Sequence, residues 1–232
     1  MNKELQTVLP EFGKAIRPHL YNYVTANKHA TAKHVVFMAG SPAAGKTELL
    51  NRLIEQHGMT NIVRIDADDF RWWFPYYNEE NSVDYQRHAS SMVEFIYKKT
   101  LEDGYPIVMD STFSSTDIAE RNFDRALKAG YQVMLNYVYF DPTLAWVYAK
   151  SRARRVPLDI LKANFFKSRE TIEHMLKRYA GQFTLNVYHR RADPDNEGQF
   201  LVYITTDVTL ETWSSSHHCP YTRISDLAHI GV

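Results

Sequence analysis

Eight consecutive residues, Gly40-Ser41-Pro42-Ala43-Ala44-Gly45-Lys46-Thr47, match the pattern G-x-x-x-x-G-K-[ST] without a mismatch. A loop of this type wraps backbone N–H groups around phosphate oxygens, and the helix that follows aims its positive end at the same anion. All eight residues are therefore candidate nucleotide contacts. Gly45 lets the backbone approach closely, Lys46 reaches the β- and γ-phosphates, and the Thr47 hydroxyl can ligate Mg2+. ATP and Mg2+ are the cofactors this chemistry calls for. The loop follows an apolar run, residues 34–39, and opens a stretch with Leu49, Leu50, Leu53 and Ile54 at helical spacing. That is the strand-to-helix context the motif requires.

A second group, Ile65-Asp66-Ala67-Asp68-Asp69-Phe70-Arg71, follows another apolar strand. A carboxylate just past a strand tip beside such a loop can accept a proton from an attacking hydroxyl or hold Mg2+. Asp66, at the strand end, suits Mg2+ water ligation or structural bonding, and Asp69 is the expected helix cap. A third strand, Pro106 to Met109, ends at Asp110, where an acid can hold Mg2+ through water. Arg152, Arg154 and Arg155 lie just before Pro157. At this density they suit a lid that donates paired hydrogen bonds to phosphate, rather than a solvated helix end. In the aromatic run Trp72, Trp73, Phe74, Tyr76 and Tyr77, packing is expected for most, with Tyr77 the candidate acceptor contact. His217-His218-Cys219 offers too few ligands for a structural zinc site and reads as a tail segment.

These motifs, in this order, resemble the zeta toxin family of P-loop kinases across residues 35–180. That family carries I-D-x-D-x-F-R with an H-P-x-Y continuation. This chain has Ile65-Asp66-x-Asp68-x-Phe70-Arg71 and then Phe74-Pro75-x-Tyr77, with only the His replaced. The family's E-G-T is represented by Asp110-Ser111-Thr112, and its arginine-rich R-x-x-P lid by residues 152–157. The resemblance implies phosphorylation of a UDP-linked amino sugar, best known as UDP-N-acetylglucosamine, at a sugar hydroxyl. By matching position, Asp68 is the general base, Arg71 a substrate contact, and Asp110 with Thr112 further acceptor contacts. The lid arginines act with Lys46 on the phosphates. Asp110 thus has two readings, metal or acceptor, and spacing does not choose between them. An antitoxin protein is the partner the family implies. Rival readings are a kinase for another nucleotide-containing, small-alcohol or polynucleotide acceptor, or a nucleotide-gated binding protein without small-molecule kinase activity.

The elements that must position these residues alternate. Strands are expected over 34–39, 61–66, 106–109 and 132–140, and helices over 47–57, 84–103, 117–128, 142–155 and 157–180. Residues 1–32 read as one or two short helices ahead of the core. Segments 183–189 and 199–205 flank turn chemistry and form a hairpin, or a core strand plus an edge. The expected fold is α/β, a P-loop kinase-like, mostly parallel sheet with helices on both faces. It is organised as one domain with an N-terminal helical extension (1–32), a kinase core (33–180) and a C-terminal extension (181–232). Lys plus Arg and Asp plus Glu are both 27, so no global charge steers the chain toward nucleic acid or an anionic membrane. A single cysteine rules out an intrachain disulfide and suits a reducing compartment. The start lacks a signal-peptide stretch and no run approaches the length of a membrane span, so a cytoplasmic setting is expected.

Overall fold

The computed structural model describes residues 3–150, 156–196 and 199–231, with 3–6 described by backbone alone. Six strands, β1 (His34–Ala39), β2 (Val63–Asp66), β3 (Ile107–Asp110), β4 (Gln132–Phe140), β5 (Phe183–Ala192) and β6 (Phe200–Thr205), form one sheet in the order β2-β3-β1-β4-β5-β6. The first five are parallel, and β6 closes the edge antiparallel to β5. The two expectations for the last segments are thus both met: β5 is a core strand and also one arm of a hairpin.

Among the described residues, seven α-helices, α1 (Lys3–Thr25), α2 (Lys46–Gln56), α3 (Ala67–Arg71), α4 (Ser82–Glu102), α5 (Thr116–Lys128), α6 (Pro142–Lys150) and α7 (Leu158–Arg178), connect and cover the strands. Alternate strand residues divide between two apolar layers. Val35, Phe37, Leu135, Tyr137, Leu185 and Val187 pack with α1, α4, α5 and α7. Met38, Val108, Val138, Phe140 and Tyr188 pack with α2 and α6 on the opposite face. This is why the inner strands read as continuous apolar runs: both of their faces are buried.

Two local expectations are corrected. The N-terminal segment is one helix, α1, with Pro10 and Pro18 inside it. Leu9 and Leu20 are fully buried, and α1 packs along α4. That burial outweighs the backbone hydrogen bonds the prolines remove. The helix expected to start at Asp69 starts earlier: α3 begins at Ala67, and five residues are too few to show a helical period from which its start could be read. Among the described residues no helix is long and apolar enough to cross a membrane.

Candidate active site

Because β2, β3 and β1 are neighbours, their carboxyl ends bring Asp66, Asp110 and Gly40 together. Asp66 and Asp110 are register partners across the β2–β3 pair. Ligands of open parallel sheets bind at this end.

The loop 40–47 has the backbone of a phosphate cradle. Gly40 lies at φ +136, Ala43 at φ +61 and Gly45 at φ +90. A Cβ at Gly40 would meet the Val138 carbonyl oxygen at 2.5 Å, and one at Gly45 would run into the Arg190 guanidinium. Gly40 therefore needs glycine for space as well as for φ, whereas at Gly45 the positive φ is the firm requirement, since the Arg190 side chain can move. Lys46 Nζ donates to the carbonyl oxygens of Gly40 at 3.0 Å and Ser41 at 2.8 Å, folding back over the loop. Arg190 on β5 donates to the Ala44 carbonyl at 3.4 Å, its guanidinium 3.9 Å from the Phe200 ring centre and 4.8 Å from that of Phe140.

The acids sort themselves by contact. Asp66, not Asp69, caps α3: its Oδ1 accepts from the Asp68 amide at 2.8 Å. Asp66 is the last strand residue, so its extended backbone has the geometry a cap needs, whereas Asp69 already lies inside the helix. Burial pushes the Asp66 carboxyl up to about 6, and the Asp110 and Asp68 carboxylates push it the same way. Asp110 Oδ2 accepts from the Thr47 hydroxyl at 2.9 Å. This contact ties β3 to the P-loop helix. Asp68 is half-exposed in the first turn of α3 and pairs with Arg71, which is only 1% exposed and also donates to Gln86 Oε1.

A cleft of about 540 Å³ gathers most of the expected site: Lys46, Thr47, Asp66, Asp68, Arg71, Tyr77, Asp110 and Thr112 all line it. Tyr77 stands edge-on to Trp72, 5.0 Å between ring centres, and to Tyr85 at 5.5 Å. Packing holds for Phe74, which turns from the cleft into the α1–α4 core against Phe12 and Tyr85. It does not hold for Trp72 and Tyr76, which are exposed. The arginines at 152, 154 and 155 lie outside the described residues.

A second cavity of about 300 Å³ opens between α4 and α5. It shares Ala67, Gln86, Asp110, Ser111 and Thr112 with the cleft and adds Ser90, Glu94, Ser114, Arg121 and Asn122. Asn122 Oδ1 is buried without a hydrogen-bond partner. Phe113, in its wall, is held at φ +55, a conformation that costs a non-glycine residue about 1–3 kcal/mol. This position directly follows the Asp110-Ser111-Thr112 segment.

Sequence reasoning missed Arg64, Gln86, Asn122 and Arg190. The available signal was Arg64, a cation inside a strand whose same-face neighbour is Asp66. Its guanidinium reaches Asp66 at 3.0 Å, Asp110 at 3.4 Å and Asp69 at 3.8 Å. Burial works against the Arg64 charge, but these three carboxylates outweigh it and raise the guanidinium pKa. His217, read as part of a tail, is instead buried against Tyr137, Tyr139 and Trp213.

The family model described as "Zeta toxin" matches residues 21–205. The chain belongs to the zeta toxin family. As a member of it, the protein is a P-loop kinase, an ATP-dependent phosphotransferase. It is 27% identical over 206 residues to Toxin PezT of Streptococcus pneumoniae, covering 86% of this chain and 71% of that relative. It is 23% identical over 141 residues to Toxin zeta of Streptococcus pyogenes, covering 58% of this chain and 48% of that one. A solved structure from a study of the PezAT chromosomal toxin–antitoxin system of S. pneumoniae superimposes with a TM-score of 0.68 at 19% identity, over 95% of this chain and 93% of that one. The AvrRxo1-ORF1:-ORF2 structure with ATP follows at a TM-score of 0.59 and 13% identity, over 86% and 65%. These superpositions speak to the fold.

Proposed function

We propose that this kinase transfers the γ-phosphoryl group of ATP to a sugar hydroxyl of a UDP-linked amino sugar such as UDP-N-acetylglucosamine. The observation that carries this reading is the continuity of two spaces. The cleft over the P-loop, lined by Asp68 and Asp110, shares Asp110, Ser111 and Thr112 with the cavity between α4 and α5. Their combined size and mixed lining, apolar walls with a few polar groups, suit an acceptor larger than a simple alcohol. The unpartnered Asn122 oxygen calls for a donor such as an amide or imide N–H, groups a UDP-amino sugar carries.

In this reading the loop amides of residues 40–47 and Lys46 hold the phosphates. Lys46 leaves the Gly40 and Ser41 carbonyls to do so. Thr47, Asp110 and Asp66 form an all-oxygen donor set that fits Mg2+. When bound, Mg2+ would neutralise charge on the β- and γ-oxygens. The Thr47–Asp110 contact favours the metal role for Asp110 over acceptor contact. Asp68, held by Arg71, orients the acceptor hydroxyl and takes its proton as oxygen–phosphorus bonding develops, and ADP leaves. Tyr77 and Thr112 line the acceptor side, and Arg71 acts on the acceptor through Asp68 and Gln86. Arg152, Arg154 and Arg155 complete the phosphate cage as a lid. An antitoxin protein is the partner this reading implies, supported by the toxins among its relatives.

The test is ATP consumption against a panel of sugar nucleotides, nucleotide cofactors, small alcohols and oligonucleotides, with mass detection of product. UDP-N-acetylglucosamine should gain one phosphate, and Asp68→Asn should abolish that gain. Transfer to a different panel member, with none to sugar nucleotides, would refute the acceptor assignment.

A further inference from the structure

Three acids, Asp66, Asp69 and Asp110, crowd one corner of the cleft, and one cation binds all three. Arg64 projects from β2 toward α2. Its Nη2 donates to Asp66 Oδ2 at 3.0 Å and to Asp110 Oδ2 at 3.4 Å. Its Nη1 donates to Asn51 Oδ1 on α2 at 3.1 Å, and its Nε faces Asp69 at 3.8 Å. Asp110 Oδ2 is the same oxygen that accepts from the Thr47 hydroxyl. The guanidinium thus braces β2, β3 and α2 around the point where Thr47 meets Asp110. The Arg64 side chain is 28% exposed, and it stands behind the cleft-lining carboxylates with its charge partly shielded from water.

Like-charged carboxylates at this separation repel, and two of them belong to strand ends that would otherwise spread. Mg2+ is the usual remedy in such sites, and it arrives with the nucleotide. Here a fixed cation already performs that task. We propose that Arg64 is a positioning residue, a built-in counter-ion that holds the Asp66 and Asp110 carboxylates together, with Asp110 on the Thr47 hydroxyl, before any metal binds. A divalent ion then joins an assembled site and is not needed to assemble it. The inference rests on the kinase-site reading above. The planar fork of Arg64 is what allows one side chain to bond two carboxylates and an amide at once.

The test uses the nucleotide-free protein and Arg64→Met, which keeps the stem and removes the fork. Melting temperature is measured with and without millimolar Mg2+, and Mn2+ affinity is read by electron paramagnetic resonance. The wild type should be nearly insensitive to Mg2+. Arg64→Met should melt lower by roughly 4 °C without metal and regain at least about half of that with Mg2+. Its Mn2+ affinity should rise at least about threefold, because the acids have lost a competing cation. Adding Asp110→Asn to Arg64→Met should remove both gains. An unchanged melting temperature in Arg64→Met, a loss that Mg2+ does not relieve, or a gain that survives Asp110→Asn would each overturn the proposal. Because no nucleotide enters, failure here is separate from failure of the kinase reading, which Lys46→Ala and ATP titration address.

Discussion

Asp68→Asn should damage the protein twice, once in chemistry and once in stability, and the partner mutation separates the two. The Arg71 side chain is 2% exposed while that of Asp68 is 54% exposed. Removing the acid leaves a guanidinium in the interior with Gln86 and a neutral amide for company. Breaking a buried ion pair from one side costs about 3–5 kcal/mol. Here the lost anion was half in water, so about 2–3 kcal/mol is the better expectation. Arg71→Met is gentler, because the surviving Asp68 can hydrate and the methionine fills the space of the stem; about 1 kcal/mol follows. The double mutant should resemble Arg71→Met, leaving a coupling energy of about 2–3 kcal/mol. Urea denaturation of the four proteins measures this. Phosphoryl transfer should fall by about 10²–10⁴ in Asp68→Asn, and ATP affinity should stay near wild type. In Arg71→Met, KM for the acceptor should rise more than kcat falls. If Arg71→Met proves the costlier single change, Asp68 is not the counter-ion that keeps Arg71 inside. If Asp68→Asn transfers phosphate at the wild-type rate, the base assignment fails.

Lys46→Ala should weaken binding of a non-hydrolysable ATP analogue by about 1.5–3 kcal/mol in calorimetry, since it removes a charge-assisted phosphate contact; unchanged affinity would remove the P-loop assignment. Gly45→Ala should destabilise the protein by about 1–3 kcal/mol in urea unfolding, because φ is +90 and the new Cβ meets Arg190. Adding Arg190→Ala should recover only part of that loss, as φ stays strained. Burial, with help from Arg169 and the neighbouring His189 and His218, lowers His217 from 6.5 to about 3. Between those values the unfolded chain binds a proton that the folded chain does not, so stability falls as pH falls from 6.5 toward 3. His217→Phe should flatten that slope in denaturation curves measured across pH, and an unaltered slope would assign it to other groups such as His189.

The sequence by itself determined the chemistry that depends on neighbours in the chain. A P-loop is a local object: loop, lysine, hydroxyl and helix start are contiguous, so residues 40–47 were legible together with the strand before and the helix after. The Asp66-to-Arg71 string was legible for the same reason, and so was the alternation of strands and helices, because both faces of the sheet are buried and each element carries its own period. What lies across strands was not legible. Whether Asp110 faces Thr47 depends on β3 lying beside β1, a matter of strand order that periodicity does not encode. Arg64 looked like one charged residue in a strand until register placed Asp110 beside Asp66. Asp66 rather than Asp69 became the cap because the strand ended where the helix began. Phe74 became core because α1 runs as one helix over it, and His217 because the C-terminal segment folds back onto β4. Long-range packing decided these, and its energies of a few kcal/mol exceed the local preferences from which a single sequence is read.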